Sequence, residues 1–361
     1  MKSRTNKNKF VVIESIGKAS PLVGKWLSDT LGISENLILQ LLYNAPKVLF
    51  KDIEEDLALK TKKFLESFGL EISIRDSLKN YNESLELFDV AIYIEDPLLL
   101  PKVSQQLAAF IGCSVEEAMN LLLKSPSKII GGVSLATVKA IKSRIDAQVM
   151  YVNPEKDTYL LFLKDKSNYS LIQQIKTHFQ NSRIPFNENN QVSTELTFEN
   201  AQSFWRQFGN QKGISLLNKA FLRYELILEE FDLNNSMHKT LLYESIGIPE
   251  EILEDLYKNL PIQLKDNILL EEAQVLKEQL FESGMQSTIL PVLKELTFLK
   301  VKDIEDANEF RAFLKDFYPK EKLKVKNNEW KSPTPINYTL SRYMEAILEK
   351  LNYRVELNFI E

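Results

Sequence analysis

Residues 32–46 read GISENLILQLLYNAP, residues 112–126 read GCSVEEAMNLLLKSP, and residues 247–261 read GIPEEILEDLYKNLP. Each copy opens on a glycine (Gly32, Gly112, Gly247), carries Ser34, Ser114 or Pro249 two residues on, and closes on a proline (Pro46, Pro126, Pro261). Between glycine and proline the leucines recur at helical spacing. Self-similarity of this kind identifies a repeat architecture, because a module copied along a chain keeps the residues that its turns and core require.

The rest of the module reads outward from this phrase. Upstream of the first copy, FVVIES at residues 10–15 alternates as a strand does, and Leu22, Val23, Trp26, Leu27 and Leu31 fall at helical spacing. Downstream, residues 52–69 form a second amphipathic stretch ending at Gly69, and LEISI at residues 70–74 alternates again. The order is β-α-α-β-α-β, which predicts a small two-layer α/β (α+β) sandwich. Gly69 follows the last helical turn, where a left-handed residue commonly closes a helix. Gly284 stands as far beyond Gly247 as Gly69 does beyond Gly32.

Five modules are expected in tandem. Residues 10–76, 87–153 and 223–292 contain the glycine-to-proline phrase. Residues 157–220 and 295–361 keep strand and helix patterns without it and read as degenerate copies, the middle helix of 157–220 being shortened or replaced. A domain of about 60 residues buries only about 60% of its unfolded surface, so neighbouring modules should pack on one another. With only 11 glycines in 361 residues, flexible tethers are disfavoured, and the expected picture is a semi-rigid curved rod.

Composition narrows the function classes. Hydrophobic residues at 44% and charged residues at 26% are ordinary globular usage. The polar, basic start of the chain has no long apolar run behind it, and no stretch is long and apolar enough to insert in a membrane, so a cytoplasmic setting is expected. Cys113 is the single cysteine, which excludes an intrachain disulfide and a cysteine metal cluster. It falls in the turn between helices where the other copies carry Ile33 and Ile248, and reads as an apolar filler. There is no phosphate loop, nucleophile elbow or dinucleotide fingerprint. His178 and His238, the only histidines, lie in no triad or metal spacing and are expected on helix surfaces. No catalytic, cofactor-binding or metal-ligating residue is assigned.

The repeated phrase resembles the C-terminal domain of the bacterial ribosomal stalk protein L7/L12, in which a strand, a helix, a glycine-rich turn, a helix ending in Ala-Pro, a third helix and a closing strand follow in order. The resemblance is carried by residues 30–50 with 64–74, and by residues 110–130. An adaptor of a bacterial AAA+ protease shares this α/β sandwich, though its local signature is absent here. The resemblance implies a module that engages other proteins, in the stalk family through a basic surface on the first two helices. The first lysine of that surface matches Lys25, but the other copies carry Gln105 and Thr240 there; a second matches Leu39, Met119 and Glu254. The departures argue against recruitment of translation factors.

Two further features bear on partners. Lys2, Arg4, Lys7 and Lys9, and the segment with Lys320, Lys322, Lys324, Lys326, Trp330 and Lys331, combine positive charge with a stackable aromatic, the pattern of a single-stranded nucleic-acid binder. Against this stands a net charge of -5. Phe204, Trp205 and Phe208, and Phe310, Phe313, Phe317 and Tyr318, form aromatic stripes at helical spacing in the degenerate copies, where specialised contacts are expected. Lys25, Trp205, Phe208, Lys322, Lys324 and Trp330 are the candidate partner contacts. The expected role is that of a non-enzymatic scaffolding component of a multi-subunit bacterial or phage assembly. The alternatives are an adaptor linked to translation or proteolysis machinery and a nucleic-acid-binding protein.

Overall fold

The structure is a computed structural model that describes residues 8–79, 81, 86–124, 128–163, 168–185, 195–292, 296–315, 317 and 325–359. In repeat one, β1 (Lys9–Ser15) is followed by α1 (Leu22–Leu31), α2 (Glu35–Tyr43), β2 (Lys47–Ile53), α3 (Glu55–Ser67) and β3 (Glu71–Arg75). The first strand lies centrally, in the order β2-β1-β3, antiparallel to both neighbours. Its alternation explains the layering: Val11 and Ile13 enter a core that also holds Val23, Leu27, Ile38, Leu42, Ala58 and Leu65 from the three helices.

Repeat two runs through β4 (Leu87–Tyr93), α4 (Leu100–Ile111), α5 (Val115–Leu122), β5 (Ile130–Ser134), α6 (Leu135–Lys142) and β6 (Gln148–Val152), with sheet order β5-β4-β6. In repeat three, β7 (Thr158–Leu163), α7 (Tyr169–Asn181), β8 (Leu196–Thr197), α8 (Phe198–Phe208) and β9 (Ile214–Asn218) form a sheet ordered β8-β7-β9, with one helix where repeats one and two have two. Repeat four comprises β10 (Arg223–Glu230), α9 (Ser236–Leu241), which continues as a π-turn to Ile246, α10 (Leu253–Lys258), β11 (Ile262–Ile268), α11 (Leu270–Glu282) and β12 (Gln286–Val292), in the order β11-β10-β12. Repeat five has β13 (Leu296–Lys302), α12 (Ala307–Leu314), α13 (Tyr338–Lys350) and β16 (Arg354–Phe359), its second strand being split into β14 (Trp330–Lys331) and β15 (Ile336–Asn337). The described chain is thus mixed α and β, with several small antiparallel sheets.

Repeats one, two and four match at their turns. Gly32, Gly112 and Gly247 each close the first helix in the left-handed conformation, at φ of 67°, 76° and 85°. Ser114 then starts α5 with a capping box, exchanging hydrogen bonds with the backbone and side chain of Glu117, so that two otherwise orphaned donors are satisfied. A second shared position escapes a pattern search. Asp52, Gly132 and Asn267 hold the same place in the second strand with φ of 55°, 66° and 63°. Asp, Gly and Asn differ in chemistry but share tolerance of positive φ. The Ala45–Pro46 and Leu260–Pro261 peptide bonds are cis, and Pro126 lies outside the described residues.

The chain divides into two compact units, one formed by Met1–Asn153 with Lys294–Glu361 and the other by Pro154–Leu293. Within the first, repeats one and two share one continuous core. Repeat five packs on repeat two, far from it in sequence, so contacts between repeats in this unit are not confined to chain neighbours as the rod picture expects. Within the second, the outer face of the repeat-three sheet packs against repeat four. Leu160 and Phe162, opposite Leu161 and Leu163 on β7, pack with Leu222, Tyr224 and Ala273. Burial there pushes the Tyr224 hydroxyl well above the usual phenol range.

Candidate protein-docking surface

The first compact unit shows one kind of contact twice: the third helix of one repeat seats on the second-helix end and first-strand loop of another. From α6 of repeat two, the Thr137 hydroxyl donates to the carbonyl of Tyr43 at 2.7 Å, where α2 ends. Arg144, just beyond α6, donates through Nη1 and Nη2 to the carbonyl of Ala19 at 3.0 and 3.1 Å, its guanidinium lying over the Phe110 ring. Tyr43 donates in turn to the Phe110 carbonyl, and burial pushes its hydroxyl up to about 12. From α13 of repeat five, the N-cap Asn337 donates to the Leu123 carbonyl at the end of α5. Arg342 donates to the carbonyls of Ile94 and Glu95 at 3.0 and 2.8 Å, beyond the end of β4. Leu340 and Tyr343 join the apolar core of repeats one and two.

Aligned on their N-caps Glu54, Ser134 and Asn337, the three third helices place Leu57, Lys60 and Phe64 of repeat one where repeat two has Thr137, Ala140 and Arg144 and repeat five has Leu340, Tyr343 and Ile347. In repeats two and five these residues are buried or half-buried. In repeat one they are open: Leu57 is 53% and Phe64 44% exposed, and Lys60 is exposed. Phe64 belongs to an aromatic cluster with Trp26 of α1 and Phe68, at centroid separations of 4.9 Å from Trp26 and 5.0 Å from Phe68. Together with Leu27, Thr30, Leu31, Phe50, Lys60, Thr61 and Leu65, Trp26 and Phe64 line a groove of about 490 Å³ between α1 and α3. The counterpart groove of repeat four is lined by Ser245, Lys265, Glu271, Glu272, Val275, Leu276 and Gln279, so the aromatic floor is absent there.

Trp26 is 37% exposed and lies outside the core, although it shares its helical spacing with the buried Val23 and Leu27. Phe64 and Phe68 were not singled out by sequence pattern. The available signal is substitution among copies: Trp26 and Phe64 align with Gln106 and Arg144 in repeat two, and with Leu241 and Gln279 in repeat four.

The other candidates fall in unlike places. Lys25 is exposed on α1, next to Trp26 in sequence, and does not line the groove. Trp205 is 50% exposed, lying against Gly209. Phe208 is buried and stacked on Phe204 at 4.8 Å, where it fills the core of repeat three and cannot meet a partner. Trp330 is likewise buried, edge-on to Phe310, because the split second strand turns it into the core of repeat five; it offers no stacking platform. Lys322 and Lys324 lie outside the described residues, as do Lys2, Arg4, Lys7, Lys320 and Tyr318. Lys9 is committed to Asp76 and Glu55.

The histidines also separate. His178 is half-buried with its ring edge-on to Phe204 and Phe208. His238 is not on the surface: it is 5% exposed, accepts the Asp232 N–H at Nδ1 and reaches the Ser283 carbonyl from Nε2, both at 2.9 Å. This pairing requires the proton on Nε2 and ties the start of α9 to the end of α11. The Cys113 thiol is half-buried, packs against the shared core and is pushed upward by burial. Among the described residues no three His, Cys, Asp or Glu side chains gather as a metal site, and no single helix is long and apolar enough to cross a membrane. No known protein family matches the chain, nor does any curated protein or solved structure.

Proposed function

We propose that the protein is a scaffolding component of a larger protein assembly, binding its partners through the module faces rather than by catalysis. The observation that carries this reading is the open third-helix face of repeat one. Its counterparts in repeats two and five are occupied by neighbouring modules, whereas Leu57, Lys60 and Phe64 meet solvent beside an exposed aromatic cluster. Exposed contiguous aromatics rimmed by polar side chains mark interaction sites on soluble proteins. The resemblance of repeats one, two and four to the ribosomal stalk domain supports the same reading, since that domain also works by engaging proteins. A structural part is favoured over an exchanging adaptor because basic residues of the stalk surface are missing from most copies, leaving affinity to be shared among several faces.

The test is purification of the tagged chain at native abundance from its source. The expected result is co-elution with at least one other protein in fixed ratio, lost when Trp26→Ser and Phe64→Asp are combined. Recovery of the unaltered protein as a lone chain would refute the scaffold reading.

A further inference from the structure

Repeats one and two enclose a cleft of about 330 Å³ that shares no lining residue with the groove between α1 and α3. One wall is a row of carboxamides. Asn36 and Gln40 of α2 and its C-cap Asn44 follow one another at four-residue spacing, which puts them on one helix face. The other wall is β5, through Ile130, Gly131, Gly132 and Val133. Among the described residues β5 pairs with β4 alone, so no strand lies along its second edge. Gly131 and Gly132 are exposed and carry no side chain to cover that edge.

Both walls differ from their counterparts in the other regular copies. The matching edge strands carry charge, Lys51 and Asp52 in β2 and Lys265 and Asp266 in β11, and charged side chains keep a foreign strand from pairing with an open edge. β5 reads IGGVS and has no such guard. The positions of Asn36, Gln40 and Asn44 hold Glu116, Asn120 and Lys124 in repeat two and Glu251, Asp255 and Asn259 in repeat four, so the row is uncharged throughout in repeat one but not in these copies. No charged side chain lines the cleft: an anion would meet no cation there, and a metal ion no carboxylate. A carboxamide both donates and accepts, as the peptide group does, and so does the edge of a strand. The main chain of an extended peptide therefore suits both walls. At about 1.5 Å per residue Asn36 and Asn44 stand about 12 Å apart along the helix, the length of about four residues of extended chain at about 3.3 Å each.

We propose that this cleft binds an extended peptide segment of a partner protein, uncharged where it enters, which adds as a strand to the open edge of β5 and pairs through its main chain with the carboxamides of Asn36, Gln40 and Asn44. The site is separate from the third-helix face of repeat one, so loss of either surface leaves the other intact.

Random dodecapeptides displayed on phage and panned against the full-length protein supply the probe. Peptides enriched over an unrelated control protein should share a core of about four residues without Asp, Glu, Lys or Arg, and should bind as synthetic peptides in fluorescence anisotropy. Asn36→Ala combined with Gln40→Ala should weaken that binding at least about tenfold, the effect of about two lost hydrogen bonds. Gly132→Asp gives β5 the residue that β2 carries at the matching position, and should weaken binding comparably by guarding the edge. A Cβ on Gly132 meets nothing within 4 Å, and circular dichroism verifies that both variants fold. Methylating alternate main-chain nitrogens of the core should abolish binding in one register and spare it in the other, because successive N–H groups of a strand face opposite sides. Combining Trp26→Ser with Phe64→Asp should leave the peptides bound. No enriched peptide, variants that bind as before, equal affinity in both methylation registers, or binding lost only with Trp26 and Phe64 would overturn the proposal. None of these outcomes would refute the scaffold reading, which is refuted by recovery of the protein as a lone chain.

Discussion

Replacing Gly69 and Gly284 separately by alanine sets two equivalent helix ends against each other. Both glycines follow the third helix of their repeats with positive φ, 92° and 95°. An L-residue held in the left-handed region costs about 1–2 kcal/mol, and both variants bear that strain. Their surroundings differ. A Cβ on Gly69 would sit 2.9 Å from the Ala19 nitrogen and from the Lys18 carbonyl carbon, in backbone that the Lys18 N–H to Gly69 carbonyl bond of 2.8 Å holds close. A Cβ on Gly284 would meet only His238 Nε2, at 3.9 Å. Overpacking against rigid atoms adds about 1–3 kcal/mol, so Gly69→Ala should cost about 2–5 kcal/mol in all and Gly284→Ala about 1–2. Hydrogen exchange read by mass spectrometry on peptides covering residues 9–21 and 236–246 reports each repeat separately, avoiding the two-state assumption that a chain of two compact units violates. Equal loss of protection in the two variants, or a larger loss for Gly284→Ala, would refute the argument that close backbone approach distinguishes the sites.

Other consequences are open to measurement. His238→Leu leaves the Asp232 N–H and the Ser283 carbonyl unpaired, each worth about 1–3 kcal/mol, and should speed exchange at the end of α11 far more than His178→Leu speeds it anywhere in repeat three. Arg144→Met removes both donors from the Ala19 carbonyl and should loosen residues 16–21, with only partial recovery in Arg144→Lys, which lacks the planar fork. Because burial raises the Cys113 thiol above its ordinary range, alkylation near pH 8 should lag that of free cysteine and catch up in urea; equal rates in native protein would show the thiol to be open. The Asp306 carboxylate, held down by the N–H groups of Glu309 and Asn308, should protect the start of α12 above the ordinary carboxylate value, and that protection should fade as pH falls through its depressed folded value. Amide exchange at Asn308 and Glu309 that does not change across this range would show the cap to be unimportant.

The modular plan was legible in the primary structure because it rests on local physics. Gly32, Gly112 and Gly247 recur where left-handed closure recurs, and the leucines between them repeat because each module must bury the same helix faces against the same central strand. Asp52, Gly132 and Asn267 were hidden because backbone conformation, not residue identity, is what the three share. Identity and spacing were silent on which faces stay open. The helical spacing of Trp26 is that of a core residue, yet it is exposed, and Trp330 stands in a basic, polar stretch yet is buried. His238 passes for a surface residue until the end of α11 comes within 2.9 Å of its ring. Whether a third helix ends in water or on another module depends on which repeats meet. Repeat five meets repeat two across more than a hundred intervening residues, and Arg144 of repeat two is held against Ala19 of repeat one while its counterpart Phe64 is exposed, outcomes set by the summed fit of whole surfaces rather than by residue spacing.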